Sequence, residues 1–339
     1  MRSLPNDAVS EEERAMPAKL AIAGTDLAVS PLCLGTNMFG TAQPSDKAAE
    51  ILDTFFASGG NFIDTAHSYG DWIPDIPNAA SERVLGELLK GRPRQAFVIA
   101  TKGCEFDYRK GDFALRVTPA HLEADLSASL ELLDLDCIDL YWLHRDDPAR
   151  PVREIIDALI GHQRAGRIRH FGCSNWSVAR ILEAQQYAAS LGHAGFVACQ
   201  PMWGLAEPDR AAMATYAPGG YYEDGYPVLH RAGMTMIPYS GQSRGIFSKM
   251  AAGLAKEAVG PDVAALYYHA RNLCKVEMLK TIAARRAASV NDIVLAYLTS
   301  QPLPTIPIIG CSSARQLRES LAACAIRLSP EELRQLREA

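Results

Sequence analysis

The chain has 339 residues, 48% hydrophobic and 22% charged, with a formal net charge of −5. This is the composition of an ordinary globular protein, long enough to bury a sizeable core. With no basic stripe it excludes a nucleic-acid partner, and its eight cysteines, without CxxC or Cys/His metal spacing, exclude a disulfide-dense scaffold and give no metal site.

In chain order, residues 1–18 are polar and acidic (Glu11, Glu12, Glu13) and read as a flexible N-terminal extension. They lack the apolar run of a signal peptide, and no later stretch is long and apolar enough for a membrane span. Residues 19–339 read as a single domain. Apolar residues 20–23 and 27–30 flank Gly24-Thr25-Asp26, the pattern of a small β-hairpin that closes the bottom of a barrel. Short apolar runs then recur at 31–34, 61–64, 97–101, 138–143, 170–174, 197–200, 235–238 and 305–308. Most are apolar on both faces, as buried parallel strands are.

Helical patterns fill the intervals. Residues 121–133 place Leu122, Leu126, Leu130 and Leu133 on one face, behind Thr118 as N-cap and Pro119 at the first helical position. Residues 152–165 repeat the pattern with Ile155, Ile156, Leu159 and Ile160; Ser177 opens another helix, and 291–299 reads as one more. Ser329-Pro330-Glu331-Glu332 is a capping box for a terminal helix. Strand-then-helix repeated eight times predicts a (β/α)8 TIM barrel with an N-terminal hairpin. The rival is a doubly wound open sheet, but the first strand runs into Gly35-Thr36-Asn37-Met38-Phe39-Gly40 rather than a GxGxxG turn. Three extended loops, 70–80, 103–117 and 204–227, follow strands and so gather at the C-terminal face.

The chemistry lies at the strand ends. Strand two of the barrel ends Phe62-Ile63-Asp64-Thr65-Ala66-His67-Ser68-Tyr69-Gly70, strand three Ala100-Thr101-Lys102, and strand four Tyr141-Trp142-Leu143-His144. In a barrel these junctions are neighbours, so Asp64, Tyr69, Lys102 and His144 converge. A phenol with a pKa of roughly 10 is a poor acid at neutral pH. An ammonium beside it lowers that value, a carboxylate holds the ammonium, and an imidazole orients the carbonyl or shares the proton. The set makes a general acid for a carbonyl oxygen.

With these residues in place the sequence resembles the aldo-keto reductase family, from about Leu20 to the C-terminus. Phe62-Ile63-Asp64-Thr65-Ala66, followed by Tyr69-Gly70, looks like the family's signature segment. The resemblance implies Tyr69 as proton donor, Lys102 and Asp64 as its tuning pair and His144 as the substrate-orienting residue. It also implies a nicotinamide bed of Gly35, Thr36, Asp64, Ser174, Asn175, Gln200, Tyr239 and Ser240, with Tyr239 stacking on the ring. Pro307-Ile308-Ile309-Gly310-Cys311-Ser312-Ser313-Ala314-Arg315-Gln316 is similar to the family's phosphate loop. Gly310, Ser312, Arg315, Gln316 and Ser320 would then meet the adenosine end. Ser312 and Gln316 are neutral where relatives that prefer the phosphorylated dinucleotide often carry a base. NADP(H) is the favoured cofactor and NAD(H) the alternative. Met38, Trp72 and Trp203 are the residues assigned to the substrate pocket.

The function that follows is reduction of an aldehyde, ketone or keto-sugar with hydride from NAD(P)H, in the cytoplasm, on a small carbonyl or sugar-like molecule. Two alternatives use fewer of these residues: a non-catalytic nicotinamide-sensing subunit, and a Schiff-base lyase built on Lys102. His67, His121, His162 and His170 read as partnerless. Trp72, Tyr108, Trp176, Tyr221, Tyr222 and Tyr226 are either pocket walls or loop packing. Cys104 reads as an inert thiol, and Cys33, Cys137 and Cys199 as buried ones.

Overall fold

A computed structural model describes residues 16–111, 113–216 and 219–339. Two short strands, β1 (Leu20–Ala21) and β2 (Ala28–Val29), pair antiparallel with Leu20 opposite Val29. Eight parallel strands follow: β3 (Cys33–Gly35), β4 (Phe62–Asp64), β5 (Val98–Gly103), β6 (Ile138–Leu143), β7 (Ile168–Ser174), β8 (Ala198–Gln200), β9 (Thr235–Met236) and β10 (Ile308–Ile309). They lie side by side in chain order, with β10 beside β3. The ring closes where Met236 bridges Thr305: Met236 N–H donates to the Pro304 carbonyl at 3.0 Å and Ile306 N–H to the Met236 carbonyl at 2.9 Å. This is the (β/α)8 barrel, and the open-sheet rival falls.

Alternation along the strands separates two cores. Phe62, Val98, Ala100, Leu140, Trp142 and Ala198 fill the barrel interior, while Ile63, Ile99, Tyr141 and Leu143 face the helices. The hairpin plugs the bottom with Ile22, Leu27 and Val29, which join the interior cluster. Ala23 N–H donates to Thr235 Oγ1 at 3.0 Å, and Asp26 reaches Arg169 at 2.6 Å and His170 at 2.9 Å, both at the start of β7. Continuing the same two-residue period puts Asp64, Lys102, His144, Ser174 and Gln200 on the interior face at the opposite, C-terminal end.

The capped helices form where their sequences say. Pro119–Leu133 begins with Thr118 Oγ1 accepting from His121 N–H at 3.1 Å. Val152–Arg164, Val178–Ser190 (capped by Ser177), Val290–Thr299 and Pro330–Glu338 match the expected helices, the last with the reciprocal Ser329/Glu332 capping box. Stretch 204–227 is less bare than expected. It contains the helix Arg210–Tyr216, the turn Tyr222–Asp224 and the start of the helix Tyr226–Arg231. Buried tyrosines anchor it: Tyr222 stacks on Trp203 at 3.6 Å, and the Tyr226 hydroxyl donates to the Trp176 carbonyl. Tyr221, Tyr222, Tyr226 and Trp176 are therefore packing residues.

The histidines are a correction. His67 meets Glu82 at 3.1 Å, His170 meets Asp26, His162 lies 3.7 Å from Glu123, and His121 contacts Thr118 Oγ1 at 2.9 Å. Three of these partners sit on other elements of the fold, so spacing along the chain concealed them. Cys33 and Cys199 are buried as expected, whereas Cys137, just before β6, is half-buried. Of the extension, residues 1–15 lie outside the described residues, and Met16 N–H donates to the Ser58 carbonyl at 3.0 Å. No described helix is long and apolar enough to cross a membrane.

Candidate active site

Lys102 projects from β5 into the top of the barrel, where it and Asp64 are each only 1% exposed. Its Nζ donates to Asp64 Oδ2, to the Thr65 carbonyl at 2.7 Å and to the Tyr69 hydroxyl at 2.9 Å, so all three ammonium protons are placed. The second Asp64 oxygen accepts from Gln200 Nε2 at 3.0 Å. Burial pulls the Lys102 pKa down, but the Asp64 carboxylate and the Tyr69 oxygen outweigh it and hold the ammonium above its ordinary range. Burial also pushes Asp64 up, against the ammonium and the Gln200 amide. With both carboxylate oxygens accepting, the ion pair is the form the geometry supports.

Tyr69 is half-buried in the turn that follows β4. Enclosure raises its phenol above the usual value, and the Lys102 charge opposes this without overturning it. The net direction differs from the expectation drawn from charge alone, because desolvation disfavours a phenolate even beside an ammonium. Tyr69 thus keeps its proton at neutral pH. His144 packs edge-on to Tyr69, with ring centroids 6.0 Å apart. Burial, then Lys102 and Arg145, hold its imidazole well below the ordinary histidine value, so the ring is neutral.

Hydrogen bonds tie the neighbouring strand ends into one assembly. Asn175, at φ +61°, donates from Nδ2 to the His144 carbonyl at 3.1 Å, and its Oδ1 accepts from the Tyr239 hydroxyl at 2.8 Å. Ser174 Oγ donates to the Gln200 carbonyl at 2.9 Å. Gly219 passes so close that an added Cβ would lie 2.1 Å from Asn175 Oδ1 and 2.8 Å from the Tyr239 hydroxyl. Ser240 is half-buried at φ +59° beside Tyr239. Gly35 ends β3 next to Asp64, and Thr36 is buried with its hydroxyl engaged by the Asp64 carbonyl and Ser81.

The loop after β10 has the make-up of an anion cradle. Gly310 has open space beyond its Cα, and Ser313 caps the nine-residue helix Ala314–Ala322. Ser312 is exposed; its N–H and hydroxyl both donate to Gln316 Oε1, at 2.8 and 2.7 Å. Arg315 is exposed and paired with Glu319 at 2.7 Å, while Ser320 is buried and accepts from Gln242 at 3.2 Å. Gln43 ties this loop to the barrel top through the Cys311 carbonyl. Gly310, Ser312 and Gln316 in this loop and helix, with Gln242 beside Ser320, are the residues here that could hold a phosphate-bearing cofactor.

An aromatic rim rises beside Tyr69. Trp72 meets Tyr69 edge-on at 6.1 Å, Tyr108 meets Trp72 at 6.1 Å, and Phe106 and Phe113 close the cluster at 5.5 Å. Trp72 is 43% and Phe113 70% exposed, and Met38 lies exposed on the loop after β3. Trp203 is not part of this rim; it is 2% exposed and flat against Tyr222. The sequence reading missed Phe106, Phe113, Glu105 and Arg145. Glu105 is buried, accepts from Arg145 Nε at 3.0 Å and helps line a polar cavity of about 190 Å³ with Lys102, His67, Arg116 and Asp125. The signal available was a charged residue three places after Lys102 and another immediately after His144.

A model of the aldo/keto reductase family matches residues 31–339. Among curated proteins, the chain is 26% identical to norsolorinic acid reductase B of Dothistroma septosporum, over 99% of this chain and 84% of that protein. It is 29% identical to a putative aryl-alcohol dehydrogenase of Saccharomyces cerevisiae, over 91% and 82%. It is 30% identical to an aldo-keto reductase of Aspergillus calidoustus, over 91% and 78%.

Proposed function

Because this chain belongs to the aldo/keto reductase family, we propose that it reduces a carbonyl group to an alcohol with NAD(P)H, Tyr69 giving the proton. The observation that carries this reading is the Lys102 ammonium, clamped by buried Asp64 and donating to the Tyr69 hydroxyl. The bound reduced nicotinamide supplies hydride to the carbonyl carbon. As charge builds on the carbonyl oxygen, Tyr69 passes its proton there, and the fixed ammonium stabilises the phenolate left behind. Ser174, Asn175 and Gln200 would hold the carboxamide, Tyr239 would back the ring, and the Gly310–Ser312 loop would take the phosphates. NADP(H) remains the favoured nucleotide. Arg315 and Arg318 are exposed on the same helix as Gln316, and either would supply the charge for an extra phosphate.

The substrate class we favour is a planar aryl aldehyde or ketone. Trp72, 43% exposed, lies edge-on to the proton donor, and Tyr108 and the exposed Phe113 extend that aromatic surface, a setting in which an aromatic substrate ring packs well. The name of the yeast relative, an aryl-alcohol dehydrogenase, points the same way. A Schiff-base role for Lys102 is disfavoured, because such chemistry needs a free amine and this nitrogen is an ammonium with three acceptors. The test is Tyr69→Phe: reduction of benzaldehyde with NADPH should fall by about 10²–10⁴-fold, with nucleotide binding by fluorescence unchanged. Full activity in that variant would refute the reading, and no turnover by the unaltered protein on any carbonyl of a broad panel would favour the sensing role.

A further inference from the structure

Behind Tyr69 lies a buried polar cluster that the tetrad does not use, gathered at the start of the helix Ala80–Leu89. Thr36, Thr65, Ser81, Glu82 and Thr101 are each 0% exposed. Polar side chains persist in a core when they are bonded, and these are. Ser81 Oγ lies 2.8 Å from Thr36 Oγ1 and 2.9 Å from Thr65 Oγ1, and Ser81 N–H donates to the Tyr69 carbonyl at 3.3 Å. Glu82 spans a wider gap. Its Oε1 accepts from the Thr101 hydroxyl at 2.5 Å, on the helix-facing side of β5 one residue before Lys102. Its Oε2 accepts from His67 Nδ1 at 3.1 Å, in the turn that carries Tyr69, and His67 N–H donates to the Lys102 carbonyl at 3.0 Å.

The turn and the helix are fitted to each other as well as bonded. Asp71 Oδ1 accepts from Ala79 N–H at 2.9 Å, and Ala79 holds φ +54°, a left-handed conformation that an alanine keeps only where its surroundings impose it. At Gly70, next to Tyr69, an added Cβ would lie 2.8 Å from the Ala80 Cβ. The helix dipole favours a carboxylate in this first turn. Burial disfavours charge on the His67 ring, but Glu82, then Asp125 and Asp71, outweigh it and raise its pKa, which strengthens the contact. We propose that Glu82 and His67 are positioning residues for proton transfer: the carboxylate, anchored at Thr101, holds the Tyr69 turn through His67 and so fixes the Tyr69 hydroxyl against Lys102. This rests on the carbonyl-reductase reading and deepens it. Neither side chain touches the reacting atoms. Their effect is on the reach of the phenol, and a misplacement of about 1 Å costs a reaction about 10²-fold.

The bridge is tested from its two ends in the full chain. His67→Leu removes a half-buried ring and cuts the link to the Tyr69 turn. Its kcat for benzaldehyde should fall by about 10- to 100-fold, and the solvent deuterium isotope effect on kcat should grow as proton transfer slows. The KM for benzaldehyde and the NADPH dissociation constant should hold. Thr101→Val keeps the shape and removes the anchor; it should show the same pattern more weakly, and it stands as the test should His67→Leu not fold. The deciding measurement is a double-variant cycle. Added to Tyr69→Phe, either substitution should leave the residual rate unchanged, because no hydroxyl remains to be placed. The same fractional loss in both backgrounds would give the link a purely structural part and overturn the inference, as would full kcat in either variant with native near-ultraviolet dichroism. Those outcomes leave the carbonyl-reductase reading intact, whereas full activity in Tyr69→Phe alone removes the reading itself.

Discussion

Lys102 is the most constrained side chain of the site, since it is 1% exposed and each of its protons has an acceptor. Replacing it should cost fold as well as function. Lys102→Met leaves the Asp64 carboxylate buried with only the Gln200 amide, and breaking a buried ion pair on one side destabilises by about 3–5 kcal/mol. Urea unfolding should show that loss together with abolished turnover; an unchanged midpoint would mean that Asp64 is relieved by protonation or water. Tyr69→Phe removes a hydroxyl from a half-exposed ring, so its midpoint should stay near that of the parent. The four tetrad residues were legible in the sequence for a physical reason. Each stands at or just past the end of an apolar strand, and the two-residue alternation carries Asp64, Lys102 and His144 to the same face. Glu105 and Arg145 were not, because their meaning depends on which group faces them across the barrel. The phenol's pKa direction was also misjudged, because burial is not written in the chain.

Elements show the same division between local rules and packing. The capping boxes at Ser289/Asp292 and Ser329/Glu332 follow from side-chain chemistry within one turn, and the second was read directly. The segment 204–227 was not, since its order comes from Tyr222 on Trp203 and Tyr226 on Trp176, contacts no local pattern announces. Gly172 in β7 is another packing requirement. An added Cβ would lie 2.4 Å from the Trp142 ring and 2.6 Å from the Ala198 carbonyl, neither of which can yield easily. Gly172→Ala should destabilise by about 1–3 kcal/mol and weaken nucleotide binding, because Ser174 follows on the same face; fluorescence titration and thermal melts check both. The terminal helix carries a pH signature. Glu332 pairs with Arg286 at 2.5 Å, which holds its pKa at about 2. A glutamate of roughly 4.3 in the unfolded chain binds its proton first, so this contribution is present above that value and lost as pH falls toward 2. Glu332→Gln should therefore flatten the acid limb of the melting profile between pH 5 and pH 2.5 relative to the parent; parallel profiles would show that other carboxylates set it.

The whole barrel separates stability from chemistry by its two ends. The bottom is closed by the hairpin, whose Ile22, Leu27 and Val29 join Cys33, Phe62, Leu140 and Trp142 in the interior cluster. The top holds the buried ion pair, the loop after β10 and the aromatic rim, carried on the strand ends where loops vary without disturbing the ring. The interior side chains between them are close-packed, so a cavity opened at the bottom is relieved locally rather than passed upward as a graded displacement. Ile22 is 0% exposed and belongs to the hairpin. Ile22→Ala should cost about 2–5 kcal/mol of stability, read as a lower urea midpoint, with kcat and the Michaelis constants for carbonyl and nucleotide unchanged below the unfolding transition. A drop in kcat while the near-ultraviolet dichroism stays native would show instead that the plug helps to set the position of Lys102 against Tyr69, and that the two ends act as one unit.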